Sequence, residues 1–488
     1  MEPDLSSYNL SSYKPVPVKY QLRNAILSCI QSGVDPLGDI QGRGEAKADL
    51  LRALLSGANP FLISREGTGK TRLANSIAKL LPPVPSIKGC PYHDDPFWPK
   101  EWLCPRCRGV EDPINEFGVE IIDGMDRFSR IQGNEYTNYA KILGLKDIEA
   151  IRDGISPTDP RSFTGTGVFR GNRGIVFVDE LPSIPTNVQV LFHPILEEGI
   201  VVLDEYNLHH PVDIILIATG NPEGFAHVNR VPRPLLDRLE MIHLGMPDED
   251  VERLIVIRER FEPKEDYFRR EETRHNHPDM NITSEFSRNR IAVPWWVLDL
   301  IVKTVGYTRT CKNFESGASI RGGIKALDHA ISSAEMRGAR VVRLADATKG
   351  LKLALRGRTT IIPDLIGFEE DEGVIFKRID RVIEDLVRFA LTRIADETLN
   401  HLAIDPMTLK EAVINGDPGV RLSKRVKEMG EGVGEVDPGS SEWKYALIEF
   451  LANILALKGV LSENEVSKRF FVPQVFVDER RRGLKGYK

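Results

Sequence analysis

The chain has 488 residues, 41% of them hydrophobic and 28% charged, with a formal net charge of −6 and five cysteines. That length exceeds what one hydrophobic core supports and implies roughly two to four globular domains, while the mild acidity gives no overall electrostatic reason to expect nucleic acid. No apolar run approaches ~18 residues and no basic, then apolar segment opens the chain, so neither a transmembrane helix nor a signal peptide is expected. Five cysteines make no disulfide framework in so long a chain; they predict a reducing, cytoplasmic setting, which makes the sequon at Asn9 irrelevant.

Residues 1–17, rich in Ser, Tyr and Pro, read as an extended arm, and Leu22, Ile26 and Cys29 mark a helix over 18–31 with Cys29 as a core residue. The segment 39–47, DIQGRGEAK, leads into another helix ending near Leu55. Residues 61–74 follow, FLISREGTGKTRLA: a short buried strand, a glycine-spaced turn, then a helix. Gly67, Thr68 and Gly69 turn backbone N–H groups inward around a phosphate. Lys70 adds positive charge for the outer phosphates, Thr71 offers a hydroxyl to Mg²⁺, and the helix beginning near Gly69 points its positive end at the anion. Ser64 stands where the GxxxxGK[ST] pattern has glycine.

In 89–108, GCPYHDDPFWPKEWLCPRCR, Cys90 and His93 repeat the interval of Cys104 and Cys107. Two such turns chelate a tetrahedral Zn²⁺, and a structural zinc on Cys90, His93, Cys104 and Cys107 is expected, without a catalytic role. Residues 111–173 are polar, Gly-rich and broken by Pro157 and Pro160, and read as inserted material rather than core.

Next, 173–180, RGIVFVDE, is an unbroken apolar strand ending in two carboxylates, as a parallel sheet with a ligand at its crest requires. Asp179 is placed to hold Mg²⁺ through its shell and Glu180 to orient or deprotonate the attacking water. Residues 200–211 read as a hairpin and 211–218 as a second buried strand running into Thr219, Gly220 and Asn221. Asn221 is placed to sense the terminal phosphate and the lytic water. Arg230, Arg233 and Arg238 precede a short apolar run at 241–244.

The remainder is helical in pattern at 296–305, 341–356, 375–391 and 443–457, with a flexible linker expected at 430–441 and a charged tail near 479–485.

The ordered set SREGTGKT, GIVFVDELPSIP, IVVLDEYNLHHPVDIILIATGNPEG and RPLLDRL resembles the AAA+ ATPases of the magnesium chelatase I-subunit and MoxR group over about residues 35–357. GCPYHDDP with CPRC resembles the cysteine-bearing insertion of chelatase-like subunits. KDIE at 146–149 with Gly154 resembles their insertion before Walker B, and the 196–211 region their element before the sensor strand. The resemblance implies an α/β fold: an AAA+ P-loop parallel sheet flanked by helices, with a helical lid, a small zinc-binding insertion and a helical C-terminal extension. The implied divisions are an arm and helix at 1–34, the nucleotide-binding domain at 35–247 (insertions about 88–109 and 111–173), the lid at 248–357 and the extension at 358–488.

It further implies that Lys70 and Thr71 bind ATP and Mg²⁺, that Asp179 and Glu180 form Walker B, and that Asn221 is sensor 1. Arg238 would be an arginine finger reaching a neighbour's ATP, with Arg230 and Arg233 as alternatives, and Arg321 would be sensor 2. Ile40 and Gly42 lie where such ATPases touch adenine. The implied assembly is a homo-oligomeric ring, usually a hexamer, that remodels a partner carrying a von Willebrand A domain or inserts metal into it. A second class, a transcription activator acting on a sigma factor or nucleic acid, rests on Ser162-Phe-Thr-Gly-Thr166; the carboxy terminus shows no helix-turn-helix to support it.

Overall fold

The computed structural model describes residues 13–65, 67–206, 208–221, 229–261, 291–366, 372–430, 432–434 and 439–461. The arm up to residue 12, its sequon and the charged tail therefore lie outside the described residues. The chain divides into two compact units, Met1–Met246 and Pro247–Lys488.

The first unit is organised by five strands, β1 (Asn59–Ile63), β2 (Phe128–Gln132), β3 (Gly174–Asp179), β4 (Ile214–Gly220) and β5 (Leu239–His243). Their order across the sheet is 5-1-4-3-2 and every neighbouring pair is parallel. Flanked by helices, this parallel sheet is like that of the AAA+ P-loop folds expected from the sequence. Because strand side chains alternate faces, one run of residues feeds two cores. Ile175, Phe177, Ile215 and Ile217 pack with the helices α1 (Val18–Gln31), α2 (Gly44–Ser56) and α3 (Lys70–Lys79). Val176, Val178, Leu216 and Ala218 pack on the other face with the cysteine segment and the 200–211 hairpin. Burial on both faces explains why β3 and β4 read as continuous apolar runs. In α1, Leu22 and Ile26 are core residues, whereas Cys29 is only half-buried.

One expectation is corrected here. Residues 111–173 are not wholly inserted material, because β2 is a strand of the central sheet, with Gln132 level with Asp179. Its sequence, FSRIQ, alternates between buried and exposed residues, as an edge strand's does, and so lacks the apolar run of its neighbour.

The second unit is helical. Helices from Glu249–Phe261 through Trp295–Thr308, Ile320–Met336 and Leu344–Leu355 to Glu372–Leu402 and Ser441–Leu457 contribute to one apolar cluster. Helices on either side of residue 357 thus share a core; Trp296 stacks on Phe450 with ring centroids 4.7 Å apart. The stretch expected as a flexible linker is pinned where it is described: Val433 N donates to Val293 O at 2.9 Å and Val293 N returns a bond at 2.8 Å.

Candidate nucleotide site and metal centre

The strand ends define the first site. The loop at 64–69 leaves the carboxyl end of β1, Asp179 and Glu180 leave that of β3, and Asn221 follows β4, so all lie on one edge of the parallel sheet. Gly67 and Gly69 have φ of +72° and +83°, a region where a side chain would be strained. The helix α3 then begins at Lys70 with its backbone N–H groups facing the loop. Lys70 Nζ donates to Ser64 O at 2.9 Å, which holds the ammonium over the turn.

Ser64 fits without a glycine because its side chain points inward. It is buried, its hydroxyl lies 2.6 Å from Thr68 Oγ1, and its N–H donates to Gly220 O at 3.1 Å. The loop is thereby tied to β4. On its other flank Arg43 donates to Thr68 O, and Ser76 of α3 donates to Asp39. These bonds hold the segment containing Ile40 and Gly42 beside the phosphate loop, with Ile40 buried against the α3 core.

The acidic pair is more constrained than its sequence suggests. Thr219 Oγ1 donates to Asp179 Oδ1 at 2.9 Å and accepts from Glu180 N at 2.8 Å. Arg130 Nη2 donates to Asp179 Oδ2 at 2.6 Å. With both oxygens engaged, Asp179 fits a role through the ion's water shell. Glu180 sits at φ +61°, an uncommon left-handed conformation for a side-chain-bearing residue. Gly133 at the end of β2 makes room for it, since a Cβ there would lie 2.2 Å from Glu180 O.

Arg238 lies elsewhere. It immediately precedes β5, whose first residue is level with Asn59, so it is at the amino edge of the sheet, roughly 13 Å of strand away from its own phosphate loop. There it donates to Glu197 and to Pro234 O. Arg230 and Arg233 are exposed. Arg321 belongs to the second unit, exposed in the first turn of Ile320–Met336.

The second site is the cysteine segment. Cys90, Asp94, Cys104 and Cys107 are all buried, with their ligand atoms within 4.8 Å of one another. His93 is not among them, which corrects the expected ligand set. It sits at φ +56°, its carbonyl accepts from Arg173 at 3.1 Å, and the chain turns Asp94 toward the sulfurs instead. Cys104 N–H donates to Asp94 Oδ2 at 2.7 Å, while Asp94 Oδ1 is buried without a hydrogen-bond partner. Hydrogen bonds with Cys104 and Cys107 hold Cys90 far below the ordinary thiol range, and bonds to Cys107 and Cys90 push Cys104 well above it. Burial pushes Asp94 up to about 8. Such a set ionises together only around a cation.

No protein-family model matches the chain. It is 27% identical over 198 residues to the magnesium-chelatase 38 kDa subunit of Acidiphilium rubrum, covering 40% of this chain and 53% of that protein. It is 28% identical over 244 residues to the 67 kDa subunit of Heliobacterium mobile, covering 48% and 35%. It is 27% identical over 260 residues to the chloroplastic ChlI subunit of Nicotiana tabacum, covering 50% and 55%. The chain is magnesium-chelatase-like. The alignments span about half or less of these relatives' own lengths. A chain of the complex between subunits BchI and BchD of magnesium chelatase superposes with a TM-score of 0.33 at 20% identity, covering 72% of this chain and 98% of that one.

In this chelatase-like chain the structure brings together Gly67, Thr68, Gly69, Lys70, Thr71, Asp179, Glu180 and Asn221, with Ile40 and Gly42 alongside. It adds Arg130, Gly133 and Thr219, which sequence reasoning missed. Only the TG before Asn221 and the GN after β2 hinted at them, and both look like turn residues. Among the described residues no helix is long and apolar enough to cross a membrane.

Proposed function

We propose that the chain is a ring-forming ATPase that couples Mg²⁺-dependent hydrolysis of ATP to the remodelling of a partner protein, or to metal insertion into it. The observation that carries this is the convergence of the Lys70 loop and the Asp179-Glu180 pair on one edge of a parallel sheet. Gly67, Thr68, Gly69 and the first turn of α3 bind the phosphates, and Lys70 leaves Ser64 O for the outer ones. When bound, Mg²⁺ neutralises the charge that develops on the transferred phosphoryl group. Thr71 and Asp179 hold the ion, Glu180 orients and deprotonates water, and Asn221 positions it. Arg238, on the opposite edge of the sheet, serves a neighbouring subunit's ATP, and Arg321 acts as sensor 2.

The assembly is a hexamer, the partner carries a von Willebrand A domain, and the cysteine segment holds a structural zinc. Reading the chain as an activator of a sigma factor is disfavoured, because Ser162, Phe163 and Gly165 are buried, with Phe163 packed against Tyr206 at 4.9 Å between centroids. The test is ATP hydrolysis by the chain against Glu180→Gln, with size measured with and without ATP. Turnover lost in the variant, with ATP-dependent growth to about six subunits, supports the proposal; no turnover and no assembly by the parent chain overturns it.

A further inference from the structure

The cysteine segment contains more than a ligand set. Cys90 Sγ and Cys104 Sγ are 3.7 Å apart. Two thiolates bound to one tetrahedral zinc at about 2.3 Å each stand about 3.8 Å apart, so the sulfurs already have the spacing that a zinc would impose. Two backbone N–H groups point at them, Asp94 N at 3.5 Å from Cys90 Sγ and Cys107 N at 3.4 Å from Cys104 Sγ, which stabilises thiolate ligands. The fourth corner belongs to Asp94, whose Oδ1 is fully buried and unpartnered.

A second unpartnered atom faces it. His210 lies on the 208–211 strand of the hairpin, is 1% exposed, and places Nε2 4.0 Å from Asp94 Oδ1. That gap is about 1 Å too long for a hydrogen bond, and neither atom has another partner. The His210 ring is fixed edge-on to Tyr92, two residues before Asp94, with centroids 5.0 Å apart, and lies 5.6 Å from Phe169. Cys90, Cys104 and Cys107 share one apolar cluster with Val201, Leu203 and Leu208 of the hairpin.

We propose that Cys90, Asp94, Cys104 and Cys107 hold one tetrahedral zinc-class cation and that His210 donates Nε2–H to the Asp94 carboxylate, so that the metal clamps the 200–211 hairpin to the cysteine segment. One carboxylate oxygen has lone pairs for both the metal and the imidazole. His210 is a positioning residue in this scheme, orienting a ligand as outer-shell partners do. The hairpin precedes β4, which carries Thr219 and runs directly into Asn221, so the clamp fixes the element that leads into the candidate nucleotide edge.

This rests on the reading of the segment as a zinc site, and the experiment separates the two. Metal content and Co²⁺ absorption are measured on the full chain and on Asp94→Cys, His93→Asn and His210→Phe. Hydrogen exchange of residues 200–211 is followed with and without a chelator. One equivalent of zinc and a thiolate-to-Co²⁺ band in the parent are expected; their absence overturns the zinc reading itself. Asp94→Cys should strengthen that band by adding a thiolate, a gain that misfolding cannot mimic. His93→Asn, which tolerates the left-handed backbone, should leave it unchanged. Loss of metal in His93→Asn with an unaltered band in Asp94→Cys overturns the ligand assignment. His210→Phe should lower metal affinity about 10- to 100-fold at unchanged stoichiometry and speed exchange in the hairpin. Metal removal without effect on hairpin exchange, or unaltered affinity in His210→Phe, overturns the clamp.

Discussion

Arg130 on the edge strand β2 donates to Asp179 at the end of β3, Nη2 to Oδ2 at 2.6 Å, and so occupies the carboxylate that the proposed mechanism assigns to Mg²⁺. The arginine is half exposed and the aspartate largely buried. An ion pair of this kind is worth up to about 1 kcal/mol, which is about fivefold in an equilibrium. Arg130→Ala should therefore lower the Mg²⁺ concentration at half-saturation for binding of a fluorescent ATP analogue by about that factor. A rise in the Mg²⁺ requirement would show that Arg130 organises the acid rather than competes for it.

Arg238 is held by Glu197 at the sheet edge opposite its own phosphate loop. As a finger in trans it should be dispensable for ATP binding, while Arg238→Ala should reduce turnover by about 10³-fold or more. Mixing Arg238→Ala with Glu180→Gln chains should restore turnover that neither has alone, because some interfaces then pair an intact glutamate with an intact arginine. Undiminished turnover in Arg238→Ala would move the role to Arg230 or Arg233.

Arg173 and Asp95 form an ion pair with side chains 3% and 0% exposed. Arg173 also donates to Pro85 O at 2.8 Å and Tyr13 OH donates to Asp95 at 2.7 Å, so the pair ties the arm, the cysteine segment and the start of β3 together. Removing one partner leaves a buried charge, and Arg173→Leu should cost about 3–5 kcal/mol in denaturant unfolding. The double variant Arg173→Leu with Asp95→Leu should recover part of that loss; equal losses in single and double variants would argue that the hydrogen bonds rather than the charges matter.

Glu449 in the Ser441–Leu457 helix is buried with Oε2 unpartnered, near Arg343, Asp346 and Arg337. Burial pushes its carboxyl from 4.5 up to about 8. Between those values the folded chain keeps a proton that the unfolded chain releases. Stability should therefore fall as pH rises across this window, at up to about 1.4 kcal/mol per pH unit. Glu449→Gln should be more stable than the parent at pH 8, with the difference shrinking toward pH 5. A difference independent of pH between 5 and 8 would refute the assignment.

The sequence by itself determined the glycine-spaced turn with its following helix and the buried strand that ends in Asp179-Glu180, the elements of the candidate nucleotide edge. A phosphate loop states its chemistry in consecutive residues, because one turn and one helix terminus build it, and the apolar run ending in Asp179-Glu180 declares a buried parallel strand by composition alone. Continuous local backbone needs no partner to be read. What only the tertiary structure decided are the contacts across strands and segments. Arg130 lies on, and Gly133 directly follows, an edge strand whose alternating FSRIQ pattern resembles exposed loop sequence, and Thr219 matters only because β4 is level with β3. The candidate metal cluster divides in the same way: its cysteine spacing is local and legible. Asp94, not the neighbouring His93, lies among the cysteines, beside one left-handed backbone turn at His93 and a hydrogen bond to its carbonyl from Arg173, 80 residues away in the chain. Hydrogen bonds from Arg173 to the His93 carbonyl and from Cys104 N to Asp94 Oδ2 join residues that are not neighbours in the chain, and spacing along the chain does not encode them.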